Sequence, residues 1–304
     1  MAVLVVNGRS RGARRGGWQA SVREILGRRF RVELVCPIDV QEGAALARRH
    51  ALDGAAVVVS AGGDGSANVL AGALLGTDTP LALLPLGTGN DLARELGIPG
   101  DVTLAAERAL DLQVKAIDVA RVNGRCFLTV GGMGLAAHSA LLVSGFKSRG
   151  AIARRLMDGL GGRAYTLASV FNILTSVDPT IDFRLSITEP GGALRQLEAH
   201  AHVLFVTNHR TLGAGLALPV DADASDGVIE LCWVPAGSRV TLLRNLARMA
   251  RGAEVPADVL TIVRASRATI RTSRPEQFVG DGDLLARGDV LELDVLARAL
   301  KVVV

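Results

Sequence analysis

The strongest constraint on the fold is a repeated local texture. An apolar run ends in glycines and polar residues, then turns helical, and this happens twice in succession. Ala55–Ser60 (AAVVVS) reads as a buried strand that runs into Gly62-Gly63-Asp64-Gly65-Ser66, with helical spacing over Ala67–Leu75. Leu81–Pro85 reads as the next strand, followed by Gly87-Thr88-Gly89-Asn90-Asp91 and a helix over Leu92–Leu96. Upstream, a strand at Ala2–Val6, helical spacing at Trp18–Arg29, a strand at Arg31–Cys36 and a helix at Val40–Ala51 keep the same alternation. A β-loop-α rhythm predicts a parallel sheet covered by helices. Ligands of such sheets bind at the loops on the carboxyl ends of the strands.

Beyond about residue 120 the pattern changes. Asp118–Val122, Arg125–Val130, Phe183–Thr188, Glu198–Val206, Val228–Val234, Leu260–Ala265 and Ala268–Thr272 read as strands. Asn123-Gly124 between two of them is a hairpin signal. Helical insertions are expected at about Ala136–Thr175, broken at glycines 159–162, and at Arg239–Arg251. The fold class predicted is therefore an α/β N-terminal domain over residues 1–121 and a mostly antiparallel β-rich domain over 122–289, with the alternating C-terminal segment 290–304 open to return to either, the first included.

Composition narrows the function. With 49% hydrophobic and 21% charged residues, disorder is excluded. No apolar run is long enough to span a bilayer. Ala2–Val6 is too short for a signal peptide, which argues for a cytoplasmic protein. Cys36, Cys126 and Cys232 form no CxxC pair, so a zinc knuckle or disulfide framework is not supported. A net charge of +4 on 304 residues is too dilute for a nucleic-acid footprint, and 3% aromatics gives no stacking platform.

The chemistry sits in the glycine-rich loops. Glycines at Gly62, Gly63 and Gly65 let backbone amides approach phosphate oxygens, and the helix behind them turns its positive end to the same place. Asp64 offers a carboxylate to Mg²⁺. Without a ligand the same residues would make a tight strand-to-helix turn. Asn90 or Asp91 would serve equally as a plain helix cap. A third cluster, Asp221-Ala222-Asp223-Ala224-Ser225-Asp226-Gly227, alternates oxygen ligands as a hard cation requires, or is a solvated acidic turn. His200 and His202, two apart on a strand, read as packing or solvent-facing groups. The basic stretch Lys147, Arg149, Arg154, Arg155, Arg163 is either a lipid-facing helix surface or a solvated one.

The pair GGDGS and PLGTGNDLAR resembles the catalytic domain of the diacylglycerol kinase superfamily, in particular its soluble bacterial lipid kinases. Asn7 stands where that family has a nucleotide loop, Gly131-Gly132-Met133-Gly134 resembles its GxG segment, and Asn208 through Gly227 its N…G…P.A…DG stretch. Asp281-Gly282-Asp283 resembles its DGE. The resemblance implies an ATP-binding α/β domain, a β-sandwich-like C-terminal domain and an active site between them. It places nucleotide and phosphate contacts on Asn7, Gly62, Gly63, Asp64, Gly65, Ser66, Thr88 and Asn90. Asp64 and Asp91 would serve Mg²⁺, Asp283 would be the general base, and Asp223, Asp226 and Val228 would hold a structural magnesium. Departures are Gly8 after Asn7 with Arg9, Arg11, Arg14 and Arg15 in the loop, and Ser66 for threonine. Further departures are Cys36-Pro37-Ile38-Asp39 where a nucleotide-contacting threonine is expected, and Asp283 for glutamate, one methylene shorter.

The resemblance implies phosphorylation of diacylglycerol by ATP, at the inner membrane face. Kinases of a sphingoid base, ceramide or phosphatidylglycerol are alternatives, as are an NAD kinase and a nucleotide-binding regulator without turnover. A homodimer stays open.

Overall fold

The computed structural model describes residues 1–8, 12, 17–160, 163–176, 180–210, 222–251 and 259–304. The expected arginines at 9, 11, 14 and 15, the glycines at 161 and 162, and Asp221 lie outside these residues, as do the side chains of Arg154, Arg155 and Arg163. The chain divides into two compact units, Met1–Ile117 with Arg298–Val304, and Asp118–Ala297. The divisions fall inside strands, which is why they lie a few residues from the texture changes of the sequence.

The first unit alternates β1 (Ala2–Val6), α1 (Trp18–Gly27), β2 (Val32–Val35), α2 (Val40–Leu52), β3 (Val57–Gly62), α3 (Asp64–Leu74), β4 (Leu81–Pro85), α4 (Asp91–Glu95) and α5 (Val102–Asp111). The strands pair in parallel in the order β2-β1-β3-β4. Every residue of β1 and β3 is buried, as expected when helices cover both faces of a parallel sheet. Helix α2 begins on a reciprocal cap: Asp39 accepts from Glu42 N at 2.9 Å, and Glu42 accepts from Ile38 N at 2.6 Å. Helix α5 does not stand out in the sequence. Asp101 starts it by accepting from the amides of Thr103 and Leu104, and Ala105, Ala106 and Ala109 are its buried face.

The second unit comprises β5 (Val114–Val122, entering from the first unit), β6 (Arg125–Phe127), β7 (Val130–Gly134), α6 (Leu135–Ser148), α7 (Ala151–Leu160), α8 (Arg163–Thr175), β8 (Ile181–Thr188) and β9 (Leu194–Thr207). It continues with β10 (Ile229–Pro235), α9 (Arg239–Ala250), β11 (Thr261–Ala265), β12 (Arg267–Gly280) and β13 (Asp283–Val303). β6 pairs antiparallel with β5 across the Asn123-Gly124 turn. The order β11-β10-β9-β7-β12-β13 is antiparallel throughout, with β7 and β8 end to end between β9 and β12. Phe127, Met133, Phe183, Leu204, Trp233 and Phe278 belong to the core between the strands, with Phe183 edge-on to Trp233 at 5.9 Å.

Three expectations are corrected in detail. The single strand Arg125–Val130 is two, because the Asp281 carboxylate takes the amides of Leu128 and Thr129 out of the ladder. The helical insertion breaks at Gly150 (φ 130°) as well as near residue 160. Helix α3 starts at Asp64, so the acid and Ser66 are in its first turn and not in a loop.

Candidate active site

In the first unit the two glycine-rich segments lie on each other. The Leu86 amide donates to Gly62 O at 2.8 Å, and Gly12 N donates to Leu86 O at 2.9 Å. A Cβ on Gly87 would lie 2.5 Å from the Gly63 Cα, so only glycines allow this crossing. Asn7, at the end of β1, donates through Nδ2 to Ser66 Oγ at 2.7 Å and through its amide to Ala61 O at 3.0 Å. Strand ends β1, β3 and β4 and the start of α3 are thereby tied into one edge. Helices leave their first amides without intrahelical partners, the groups an anion meets at such an end.

Asn90 adopts the left-handed conformation (φ 52°) and turns its side chain inward. Its Oδ1 accepts from Gly87 N at 2.9 Å, and its Nδ2 donates to Pro85 O and Gly87 O at 3.3 Å. It holds the second loop in shape. Thr88, one residue beyond Gly87, is exposed. Asp64 and Asp91 converge: a Cβ on Gly89 would meet Asp64 Oδ2 at 2.9 Å and Asp91 Oδ2 at 3.1 Å. Asp64 Oδ1 also accepts from Leu92 N at 3.3 Å, and Arg94 holds both Asp91 Oδ1 at 2.9 Å and Gly89 O at 2.8 Å. Two carboxylates around one glycine, beside a cradle that no Cβ could enter, suit a divalent cation carrying phosphate. Asn7, Gly62, Gly63, Asp64, Gly65, Ser66, Thr88, Asn90 and Asp91 thus belong to adjoining segments of one unit.

In the second unit Asp281 and Gly282 (φ 49° and 89°) form the two-residue turn between β12 and β13, closed by the Gly280–Asp283 pair. The two acids have separate roles. Asp281 accepts from Leu128 N at 2.7 Å, Thr129 N at 3.0 Å and Thr129 Oγ1 at 2.6 Å, which fixes the turn. Asp283 is exposed by its accessible surface, yet the density around it pushes its carboxyl above the usual carboxylate range through desolvation, against the pull of the Arg125 guanidinium.

The acidic turn is anchored by a residue that the sequence did not single out. Asp118, fully buried, accepts from Gly227 N at 2.6 Å, while its own amide donates to Ala224 O at 2.6 Å and its carbonyl accepts from Asn208 Nδ2 at 3.0 Å. A lone acid within the apolar run Ile117–Val119 was the available signal. Asp223 Oδ1 accepts from Ser225 N at 3.1 Å and Ser225 Oγ at 2.7 Å. Asp226 accepts from Val228 N at 3.1 Å and pairs with Arg264, which also reaches Glu230 at 3.2 Å. Arg264 therefore takes up one oxygen of Asp226, one of the three residues expected to hold a cation. Among the described residues no group of three or more His, Cys, Asp or Glu is placed to hold a metal. The two strand histidines diverge: buried His202 meets Gly237 at 3.0 Å, while His200 pairs with Asp182 at 2.7 Å.

Residues 1–122 match the model of the diacylglycerol kinase catalytic domain, and residues 149–304 that of the YegS C-terminal NAD kinase beta sandwich-like domain. A protein of Mycobacterium tuberculosis named diacylglycerol kinase is 31% identical over 258 residues, covering 81% of this chain and 78% of its own. A Pseudomonas fluorescens protein named "Probable lipid kinase YegS-like" is 28% identical over 81% of this chain and 76% of its own. A crystal structure of a diacylglycerol kinase from Bacillus anthracis superposes with a TM-score of 0.72 at 18% identity, covering 99% of this chain and 96% of that one; the likeness is one of fold.

Proposed function

Because this chain belongs to the diacylglycerol kinase catalytic-domain family, we propose that it is an ATP-dependent lipid kinase whose acceptor is the free hydroxyl of diacylglycerol, giving phosphatidic acid. The observation that carries the reading is the convergence of Asp64 and Asp91 on Gly89, beside the Gly63–Gly87 crossing. In this reading the amides of the Gly62–Ser66 and Gly87–Gly89 segments bind phosphate oxygens. Asn7 positions Ser66, and Asn90 keeps the second loop open. Asp64 and Asp91 would hold Mg²⁺, which when bound neutralises phosphate charge and orients it for transfer. Asp283 accepts the proton of the lipid hydroxyl as its oxygen bonds to phosphorus, and Arg125 favours the ionised form of that base. Such transfers are accelerated mainly by positioning and charge stabilisation, which is what rigid glycine loops and fixed carboxylates supply.

The test is the purified chain with γ-labelled ATP, Mg²⁺ and a panel of lipid alcohols in mixed micelles. Label in diacylglycerol is the expected result. Label in a sphingoid base, ceramide or phosphatidylglycerol keeps the kinase and overturns the acceptor. Label in NAD, or nucleotide binding with no transfer to anything, overturns the lipid-kinase reading.

A further inference from the structure

Tyr165 is the chain's single tyrosine, and the packing of α8 brings it to the turn that precedes Asp283. Helix α8 lies on α6. Ala164 and Ala168 are buried with Val143, and Ser169 Oγ and Asn172 Nδ2 both donate to Ser139 Oγ, at 3.1 and 3.3 Å. Helix α6 lies in turn on β12, where Ala137 and Ala140 pack with Val279. Tyr165, Ser169 and Asn172 are spaced i, i+4, i+7 and share one face of α8. The two bonds to Ser139 therefore fix the face that bears the phenol. Tyr165 keeps part of its surface open, at 36% exposed, as a group that meets a substrate must.

The turn itself is held from elsewhere. Asp281 ties it to Leu128 and Thr129, and Arg125 Nη1 donates to Leu284 O and Leu285 O at 3.2 Å, just beyond Asp283. Beside Gly282 the space is open. Apart from its chain neighbours, the one atom of the described residues within 4 Å of a Cβ at this position is the Tyr165 phenol oxygen, at 3.6 Å. Residue 282 thus leaves a notch the size of a side chain, faced by a hydroxyl. Asp283 is the next residue and is exposed. Consecutive Cα atoms are about 3.8 Å apart, so notch and carboxylate adjoin. A lipid hydroxyl that gives its proton to Asp283 must come within about 2.6–3.2 Å of it. In diacylglycerol the carbon next to the one bearing that hydroxyl carries an ester, so an ester carbonyl arrives with it. A carbonyl can only accept a hydrogen bond, and a phenol O–H donates one.

We propose that Tyr165 reads the acceptor: its phenol donates to the ester carbonyl beside the hydroxyl that Asp283 deprotonates. This rests on the lipid-kinase reading and adds to it a residue that favours an acyl over an alkyl glycerol. The test compares diacylglycerol with a dialkylglycerol of the same chain length, whose ether oxygens carry no carbonyl. Both are presented to the full chain in mixed micelles with γ-labelled ATP and Mg²⁺. The parent is expected to show a kcat/KM about three- to tenfold higher for the diacyl lipid, the scale of one hydrogen bond. Tyr165→Phe is expected to bring the diacyl lipid down to the dialkyl one, through KM and not kcat. ATP affinity by calorimetry and the melting temperature should stay at the parent's values, because the ring remains and only its oxygen is lost. Equal use of the two lipids by the parent, a preference that survives in Tyr165→Phe, or an equal fall on both lipids overturns the proposal and leaves the kinase reading standing. Transfer to neither lipid overturns both.

Discussion

At the scale of residues, two substitutions separate architecture from chemistry. Gly87→Ala adds a methyl 2.5 Å from a backbone carbon that cannot step aside, so the crossing of the two loops must open. Nucleotide affinity, measured by calorimetry, is expected to fall at least ~tenfold, because the phosphate-binding amides move with the loop. Asp283 tests the chemistry. Desolvation by the atoms packed around it raises its pKa above the ordinary 3.8, with Arg125 acting in the opposite direction. A general base works only when ionised, so kcat/KM should climb with pH through this raised value and stay high above it, an acid limb displaced upward from 3.8. Arg125→Ala removes this opposing pull and should move the limb further up. Asp283→Asn should remove the limb and at least ~10²-fold of kcat while leaving ATP affinity near the parent value. Asp283→Glu should keep activity. An acid limb that Asp283→Asn leaves in place would assign the base elsewhere.

At the scale of elements, what the sequence revealed was what neighbours in the chain decide. The strand–glycine–helix alternation is local, and so is the Asn123-Gly124 turn; both appear where the residues put them. Features decided by distant partners were not legible. The split of β6 from β7 depends on a carboxylate more than 150 positions away, at Asp281. The acidic turn depends on Asp118, 109 positions from the Gly227 amide it binds, and on Arg264. That turn offers a further test. Arg264→Ala would leave Glu230, whose side chain is 3% exposed and whose pKa burial already raises, without its cation. Breaking a buried pair by removing one partner costs about 3–5 kcal/mol, discounted here because Arg264 is half exposed, so a loss of about 1–3 kcal/mol is expected in denaturant melts. If a divalent cation takes the turn instead, it must displace Arg264 from Asp226. The melting temperature would then rise with Mg²⁺, and Asp226→Ala would abolish that rise. A parent protein whose melting temperature ignores Mg²⁺ assigns the turn to Arg264 alone.

At the scale of the whole molecule, the chain does not divide into an N-terminal and a C-terminal half. It leaves the first unit within β5 and returns to it with Arg298–Val304, the end of β13. The sequence showed an alternating segment at residues 290–304 but not which sheet it joins, because alternation specifies a strand's two faces and not its neighbour. The structure answers this: Val302 pairs in parallel with Leu81 of β4, and Val304 N donates to Gln113 O at 2.8 Å. Leu300, Val302 and Val303 are 1%, 0% and 3% exposed. Burying three such side chains is worth roughly 1.5–3 kcal/mol each, of the order of an ordinary domain's entire stability margin. A chain ending at residue 297 should therefore lose the first unit, although the cut lies nearly two hundred residues beyond its last helix. The expected signs are protease cleavage within residues 1–117 and loss of nucleotide binding. Lys301→Ala is the control, for it removes only the ion pair to fully exposed Asp78 at 2.6 Å and keeps the buried strand. It should melt like the parent, since exposed pairs contribute little. If the shortened chain still binds nucleotide and resists protease as the parent does, the returning strand is an accessory to the first unit and not part of its fold.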